Sequence, residues 1–140
     1  MSKNTMHRLT FATTDDATAQ LFRTLYEGFV LGGAAIMARM VNNRQEPNFE
    51  ERRAEARVLR QLKAIGVPVT DEAGRAISFR QTGAPVYTLA PNGPHVLELG
   101  TPEYTKLKEF IRATPWDTGR MDAVEDMVDF VLRAEEVSAA

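Results

Sequence analysis

The stretch that decides the fold is residues 15–42, DDATAQLFRTLYEGFVLGGAAIMARMVN. Its apolar side chains recur at intervals of three and four, which is the spacing of one face of an α-helix. Asp15 and Asp16 stand at its start, where the positive end of a helix dipole favours acidic side chains. The pattern therefore predicts one long helix. Its weak point is the pair Gly32 and Gly33, because each interior glycine costs about 1 kcal/mol relative to alanine, and a kink there is the alternative.

Small residues lie four apart within this predicted helix, a spacing that lets a second backbone approach closely. Two partners fit: another helix of the same chain, either the second or the last, or the same helix of a second copy. A phosphate-binding loop does not fit, because no strand precedes the glycines and no Lys-Ser or Lys-Thr follows them. We predict self-association through this small-residue seam, which consists of Gly28, Gly32, Gly33, Ala35 and Ile36.

Three further helices are predicted. Residues 49–65 form the second, with Asn48 as its cap and Glu51 three residues later. Residues 102–113 form the third, which begins with proline at its first position. Residues 121–136 form the fourth, and the residues after it are expected to fray. The residues of the fourth helix that are predicted to face inward are all apolar: Met121, Val124, Met127, Val128, Val131 and Leu132.

A small antiparallel sheet is predicted between the second and third helices. Residues 77–99 contain three short β-rich runs separated by proline and glycine, which is typical of a β-meander. Asn92-Gly93 indicates a hairpin between the last two runs, since both residues accept positive φ. Residues 8–12 alternate and add an edge strand. The predicted fold is α+β: one domain over residues 1–140, mainly helical, with four helices and three or four antiparallel strands.

Composition excludes several classes of protein. The 140 residues include no cysteine, which removes disulfide-stapled folds and thiolate zinc sites, and this length can bury a core without them. A net charge of −2 argues against a surface devoted to phosphate backbone. No signal peptide is visible, and the uncharged apolar stretch of residues 28–38 is too short to cross a hydrocarbon layer of about 30 Å. We expect a soluble, cytoplasmic protein without contact to a membrane.

Arg53, Arg57 and Arg60 recur on one side of the second predicted helix. Such a row can bind an acidic surface of a partner protein or the phosphates of a nucleic acid. Glutamates on the same helix offset much of its charge, and no aromatic residue is interleaved for base stacking. A solvated, self-paired face is therefore a further interpretation. We predict that the row binds a protein, with a nucleic-acid-binding regulator as the alternative function.

Trp116 is the only tryptophan and falls in the connection to the last predicted helix. It can cover the junction between two amphipathic helices, or it can anchor a partner at an interface, where tryptophan is over-represented. We include it among the predicted partner-binding residues.

Motifs for catalysis or metal binding are missing. The acidic row on the last helix lacks the loop carbonyl or histidine ligands of a tight metal site, and it fits better as a solvent face or an acidic surface for a basic partner. We therefore predict no cofactor, no metal and no enzymatic activity. The alternative is an enzyme of unrecognised type, with a pocket near the sheet that collects Tyr26, Arg80, His95 or acidic residues. The acidic row consists of Asp122, Glu125, Asp126 and Asp129.

The run VLELGTPEYTKLK at residues 96–108, followed by Ala113-Thr114-Pro115-Trp116 and a closing amphipathic helix, resembles the C-terminal part of small uncharacterised proteins from phage and prophage genomes. The resemblance implies a phage accessory role, either as a virion component or as a small protein that binds a host or phage protein. It carries over no catalytic residue. The predicted function is a non-enzymatic protein-binding, assembly or regulatory protein that forms homo-oligomers and binds another protein.

Overall fold

Four helices make up most of the ordered structure. The computed structural model describes residues 5–138. All four helices begin within one residue of their predicted positions, and the predicted α+β class with mainly helical content is confirmed. The helices are α1 (Asp16–Asn42), α2 (Phe49–Ala64), α3 (Thr101–Ala113) and α4 (Met121–Leu132).

Capping side chains define where the first two helices begin. The Asp15 carboxylate accepts a hydrogen bond from the Thr18 N–H at 2.9 Å, and this bond lowers the pKa of that carboxyl below its ordinary value. The side-chain oxygen of Asn48 accepts the Glu51 N–H at 2.8 Å, which confirms the predicted cap of α2. α1 continues without a break through its two adjacent glycines, so the predicted long helix is confirmed.

The main sheet has three antiparallel strands, β1 (Thr5–Phe11), β4 (His95–Gly100) and β5 (Glu135–Ser138), with β1 in the middle. The predicted edge strand is therefore the central one. Its alternation is as expected: Leu9 and Phe11 are buried against the helices, while Arg8 lies on the outer face. There its guanidinium is 3.6 Å from Glu98 on β4 and 3.1 Å from Glu135 on β5.

The predicted β-meander over residues 77–99 is wrong. Residues 77–81 form no strand. β3 (Tyr87–Leu89) pairs instead with β2 (Gly66–Pro68) in a separate two-stranded sheet, and β4 pairs with β1. The physical reason lies at the predicted hairpin, because its favoured turn needs positive φ at both central residues. Asn92 has a φ of 69°, but Gly93 is not in the positive region, and the chain continues toward β1.

The C-terminal part also differs from its prediction. α4 ends at Leu132 rather than at residue 136, and the expected frayed tail forms β5 as far as Ser138; residues 139 and 140 lie outside the described residues. Without β5, the backbone groups of β1 on that side would have no strand partner, and open strand edges readily accept another strand. Pairing of β5 with β1 satisfies them.

Buried side chains from all four helices, the inner face of the main sheet and β3 form the hydrophobic core. α1 contributes Phe22, Leu25 and Phe29, each at most 3% exposed. Within residues 5–138, α1 is the one helix long and apolar enough to cross a membrane by length and composition, a test that the core helix of a soluble protein also passes. The sequence-based expectation counted only the uncharged residues of this helix. A window of 18 residues within α1, charged residues included, has a mean hydropathy of 1.2.

Candidate functional site

The small-residue seam of α1 is covered by α3 of the same chain. A Cβ atom added to Gly32 would overlap the backbone carbonyl of Phe110, and one added to Gly33 would lie 2.9 Å from the Phe110 ring. The close backbone approach that the small residues predicted is therefore present, but its partner is the third helix, not the second or last. Gly28 and Gly32 are buried. A second copy cannot reach these glycines, so their assignment to self-association is corrected to an intramolecular contact.

Thr114 and Trp116 complete this contact at the end of α3. The Thr114 hydroxyl lies 2.7 Å from the carbonyl oxygen of Gly28 and 2.9 Å from that of Phe110, so it can donate to either helix. A Cβ added to Gly28 would lie only 2.8 Å from Cζ2 of the Trp116 indole. Glycine is thus required on α1 both where the α3 backbone passes and where the indole lies.

The other two seam residues, Ala35 and Ile36, are half-buried and line shallow grooves beside the covered glycines. They lie on different sides of the contact with α3: Ala35 shares its groove with Trp116, and Ile36 shares its groove with Lys108 and Arg112. The five predicted residues therefore do not form one continuous surface for a second copy.

The three arginines predicted to bind a partner are exposed on α2, as their spacing indicated. Two of them have acidic neighbours: Arg53 is 3.5 Å from Glu50, and Arg57 is 3.9 Å from Glu103. These contacts reduce the charge that Arg53 and Arg57 present to a phosphate group. Arg60 forms no ion pair within residues 5–138. Nucleic-acid binding through this row stays a prediction.

The structure contains an apolar groove between α3 and α4 that was not predicted from the sequence. Both helices pack against α1, and between them they leave a groove of about 250 Å³. The Trp116 indole lies at one end, where its Nε1–H donates to the Ile111 carbonyl at 3.0 Å. At the other end the Tyr104 hydroxyl donates to the Val131 carbonyl at 2.6 Å. The groove is lined by Lys108, Ile111, Arg112, Trp116, Val124, Val128, Val131 and Leu132.

The predicted inward orientation of all six apolar residues on the last helix is wrong. Val124, Met127 and Val131 are buried, but Leu132 is 59% exposed and Met121 is 37% exposed. Successive residues turn by about 100° around a helix axis, so these six positions cover a wider arc than one core-facing stripe. The angular width of this apolar stripe was the signal in the sequence. It shows that the helix carries more apolar side chains than the core can cover.

Charges of opposite sign lie on the two sides of the groove. Lys108 and Arg112 line it on α3, and the acidic row lies on the exposed side of α4. Within residues 5–138, none of these charged side chains forms an ion pair. The Lys108 ammonium instead lies 4.4 Å from the centre of the Tyr104 ring. The lining of the groove is therefore apolar with two cationic side chains from α3, and the acidic row lies outside the groove on α4.

A larger depression of about 750 Å³ lies between β1, α1 and α4. Its charged lining mixes both signs, and Arg8 is already held by Glu98 and Glu135. Apart from Arg8, its ionised side chains are Asp126, Asp129, Arg133 and Glu135. They are not enclosed, and the arrangement favours neither an anion nor a cation.

Of the three side chains proposed for an enzyme pocket, Tyr26 and His95 make structural contacts and Arg80 is exposed. Tyr26 is 1% exposed, its hydroxyl donates to the Pro85 carbonyl at 3.3 Å, and burial raises its pKa to about 12. Nε2 of His95 lies 2.8 Å from the Ala90 carbonyl oxygen. Arg80 is exposed in the long loop before β3. In the part of the chain that the structure describes, no group of three or more His, Asp or Glu side chains is placed to hold a metal ion.

Comparison with known proteins identifies no relative: no family model matches the chain, and neither a curated protein nor a solved structure is significantly similar to it.

Proposed function

We propose that the protein is a non-enzymatic protein-binding or assembly protein, and that the α3–α4 groove is its docking surface. The observation that carries this proposal is the exposure of large apolar side chains on α4, with Leu132 at 59% and Met121 at 37%. Leu132 lines the groove together with Val128, and apolar surface that extends over several side chains marks interaction sites in soluble proteins. The groove volume of about 250 Å³ is below the range of about 300–1,000 Å³ that small-molecule sites occupy. Side chains of a protein partner fit it better than a metabolite.

Two features of the groove support a protein partner. Trp116 is half-buried at its end, and tryptophan is enriched among the residues that dominate binding energy. Lys108 and Arg112 stand on one side without an acidic partner in residues 5–138. Charges at the edge of an apolar contact set the orientation and the association rate more than the affinity. The predicted role of Trp116 is kept in this proposal, and the arginine row becomes a secondary surface.

The proposal includes a soluble, cytoplasmic protein. Burial of Phe22, Leu25 and Phe29 supports α1 as a core helix rather than a membrane span. A phage accessory role, which the C-terminal resemblance implies, is compatible with a small chain that binds a host or phage protein in the cytoplasm or in a virion. This role adds no residue to the site.

The test uses two matched apolar-to-acid substitutions. Leu132→Glu places a carboxylate in the groove, and Val41→Glu places one at the exposed end of α1, where Val41 is 66% exposed. Partners are recovered with the tagged chain from its source cells. We expect the same partner with the wild type and Val41→Glu, and at least a tenfold smaller yield with Leu132→Glu. Equal recovery with both variants would contradict the groove as the docking surface.

A further inference from the structure

We propose that the occupant of the α3–α4 groove is the same face of a second copy, in a two-fold symmetric dimer. The inference rests on the proposed function, since it names the partner at that site. Three adjacent features carry it: a cationic flank of Lys108 and Arg112 on α3, an apolar strip on α4, and an acidic flank on α4. The apolar strip consists of Met121, Val128 and Leu132, and the acidic flank consists of Glu125 and Asp129.

The order of these features follows from helix geometry. Val128 and Leu132 line the groove, so they lie on the side of α4 that faces α3. With a rotation of about 100° per residue, Met121 falls between them, Glu125 follows beyond Leu132, and Asp129 follows Glu125. The apolar strip therefore lies between the cationic flank on one side and the acidic flank on the other.

This order makes the face complementary to itself. A two-fold interface brings the same patch of both copies together, so each residue must suit its symmetry-related surroundings. When the two-fold axis runs along the apolar strip, the two strips meet, and the cationic flank of each copy faces the acidic flank of the other. When the axis runs across the strip, like charges meet. The charges thus select one orientation of the dimer.

The positions along the groove also match. Tyr104 is level with Val131 because its hydroxyl bonds the Val131 carbonyl, and Trp116 closes the opposite end beside Ile111. The start of α3 thus meets the end of α4, and the short connection from Ala113 to Met121 keeps the other two ends together, so the helices run in opposite directions. With about 3.6 residues per turn, Lys108 is one turn from Tyr104 and lies between the levels of Asp129 and Glu125, and Arg112 lies one turn further, about half a turn beyond the level of Glu125.

An axis along the strip preserves these levels. Each Lys108 then lies between the levels of Asp129 and Glu125 of the second copy, and each Arg112 lies about half a turn from Glu125 of the second copy, within reach of these long side chains. The charged side chains that have no ion-pair partner within residues 5–138 acquire one in the dimer. Burial of the apolar strip away from water supplies the affinity, and the charge pairs fix the orientation.

The experiment exchanges the charges of each flank. K108E/R112E makes both flanks acidic, and E125K/D129K makes both basic. By sedimentation equilibrium, we expect the wild type to reach twice the 15.6 kDa mass of the chain, and each double variant to dimerise at least tenfold more weakly. An equimolar mixture of the two double variants should dimerise again, and so should the chain that carries all four substitutions. R53E/R60E on exposed α2 is the control with the same charge change and should leave the dimer intact.

Recovery by the fourfold variant separates loss of contact from loss of folding, because a chain that fails to fold cannot dimerise again when more charges are changed. A wild type that stays monomeric at millimolar concentration would overturn the inference, and so would a fourfold variant as weak as the double variants. If the wild type is monomeric while Leu132→Glu still loses a different partner, the dimer fails and the proposed docking surface stands. If Leu132→Glu changes neither measurement, both fail.

Discussion

The two sides of α3 differ in how they meet their neighbouring helices. Toward α1, the Phe110 carbonyl lies against Gly32, and the Thr114 hydroxyl lies within hydrogen-bond distance of a backbone oxygen on each helix. Toward α4, side chains such as Ile111 and Val128 line an open groove. Small residues in the sequence therefore indicated an intramolecular contact, the packing of α3 against α1. The proposed docking surface instead carries apolar residues in excess of what the core buries.

The largest effect is expected where the backbones touch. Gly32→Leu forces a side chain into the Phe110 carbonyl, which no rotamer change can move aside. We expect the free energy of unfolding to fall by about 3 kcal/mol or more, beyond most overpacked cores, where flexible side chains relieve the strain. Denaturant unfolding measures the loss.

The matched control is Gly119→Ala, because a Cβ at Gly119 meets nothing within 4 Å. Its stability should change by less than about 0.5 kcal/mol. Wild-type stability of the Gly32→Leu chain would contradict the close contact between α1 and α3 at Gly32. The glycines would then be open to contact with a second copy.

Trp116 contributes both to the contact with α1 and to the groove toward α4. Its removal should therefore have an intermediate effect on the free energy of unfolding. Trp116→Ala loses the indole packed over Gly28 and the hydrogen bond from Nε1 to the Ile111 carbonyl. Because the residue is half-buried, we expect a loss of about 2 kcal/mol, below the range of about 3–5 kcal/mol for buried tryptophan. Thermal unfolding provides the measurement. Trp116→Phe keeps a ring but not the donor, and should cost about 1 kcal/mol; equal losses for both variants would assign the whole effect to the hydrogen bond.

What could be predicted from the sequence was local. The periodicity of residues 15–42 and the cap at Asn48 were sufficient for α1 and α2, because the signals lie within a few residues of their consequences. The partner of the small-residue seam could not be read in this way, since any of several helices can cover glycine. The same limit explains the sheet: Arg8 pairs with Glu98 and Glu135, far along the chain, and short β-rich runs do not specify which strand they join.

The groove was hidden for a related reason. The interval of three and four on the last helix identified its apolar residues correctly, but periodicity alone does not separate a core stripe from a stripe that is partly left open. The signal lay in the angular width, with Met121 and Leu132 at its exposed edge. Charge placement became informative only when α3 and α4 were side by side, because Lys108 and Glu125 belong to different helices.

The smallest effect is expected on the open side. Leu132→Ser removes an apolar side chain that is 59% exposed, so in dilute solution the free energy of unfolding should change by less than about 0.5 kcal/mol. At concentrations where the chain associates through the groove, the wild type should gain stability by mass action and the variant should not. Unfolding measured across a concentration series therefore separates the two sides of α3: the Gly32→Leu loss is independent of concentration, and the Leu132→Ser loss grows with it. A loss above about 1 kcal/mol for Leu132→Ser in dilute solution would mean that the chain closes this side as well, since only packing within one copy is independent of dilution.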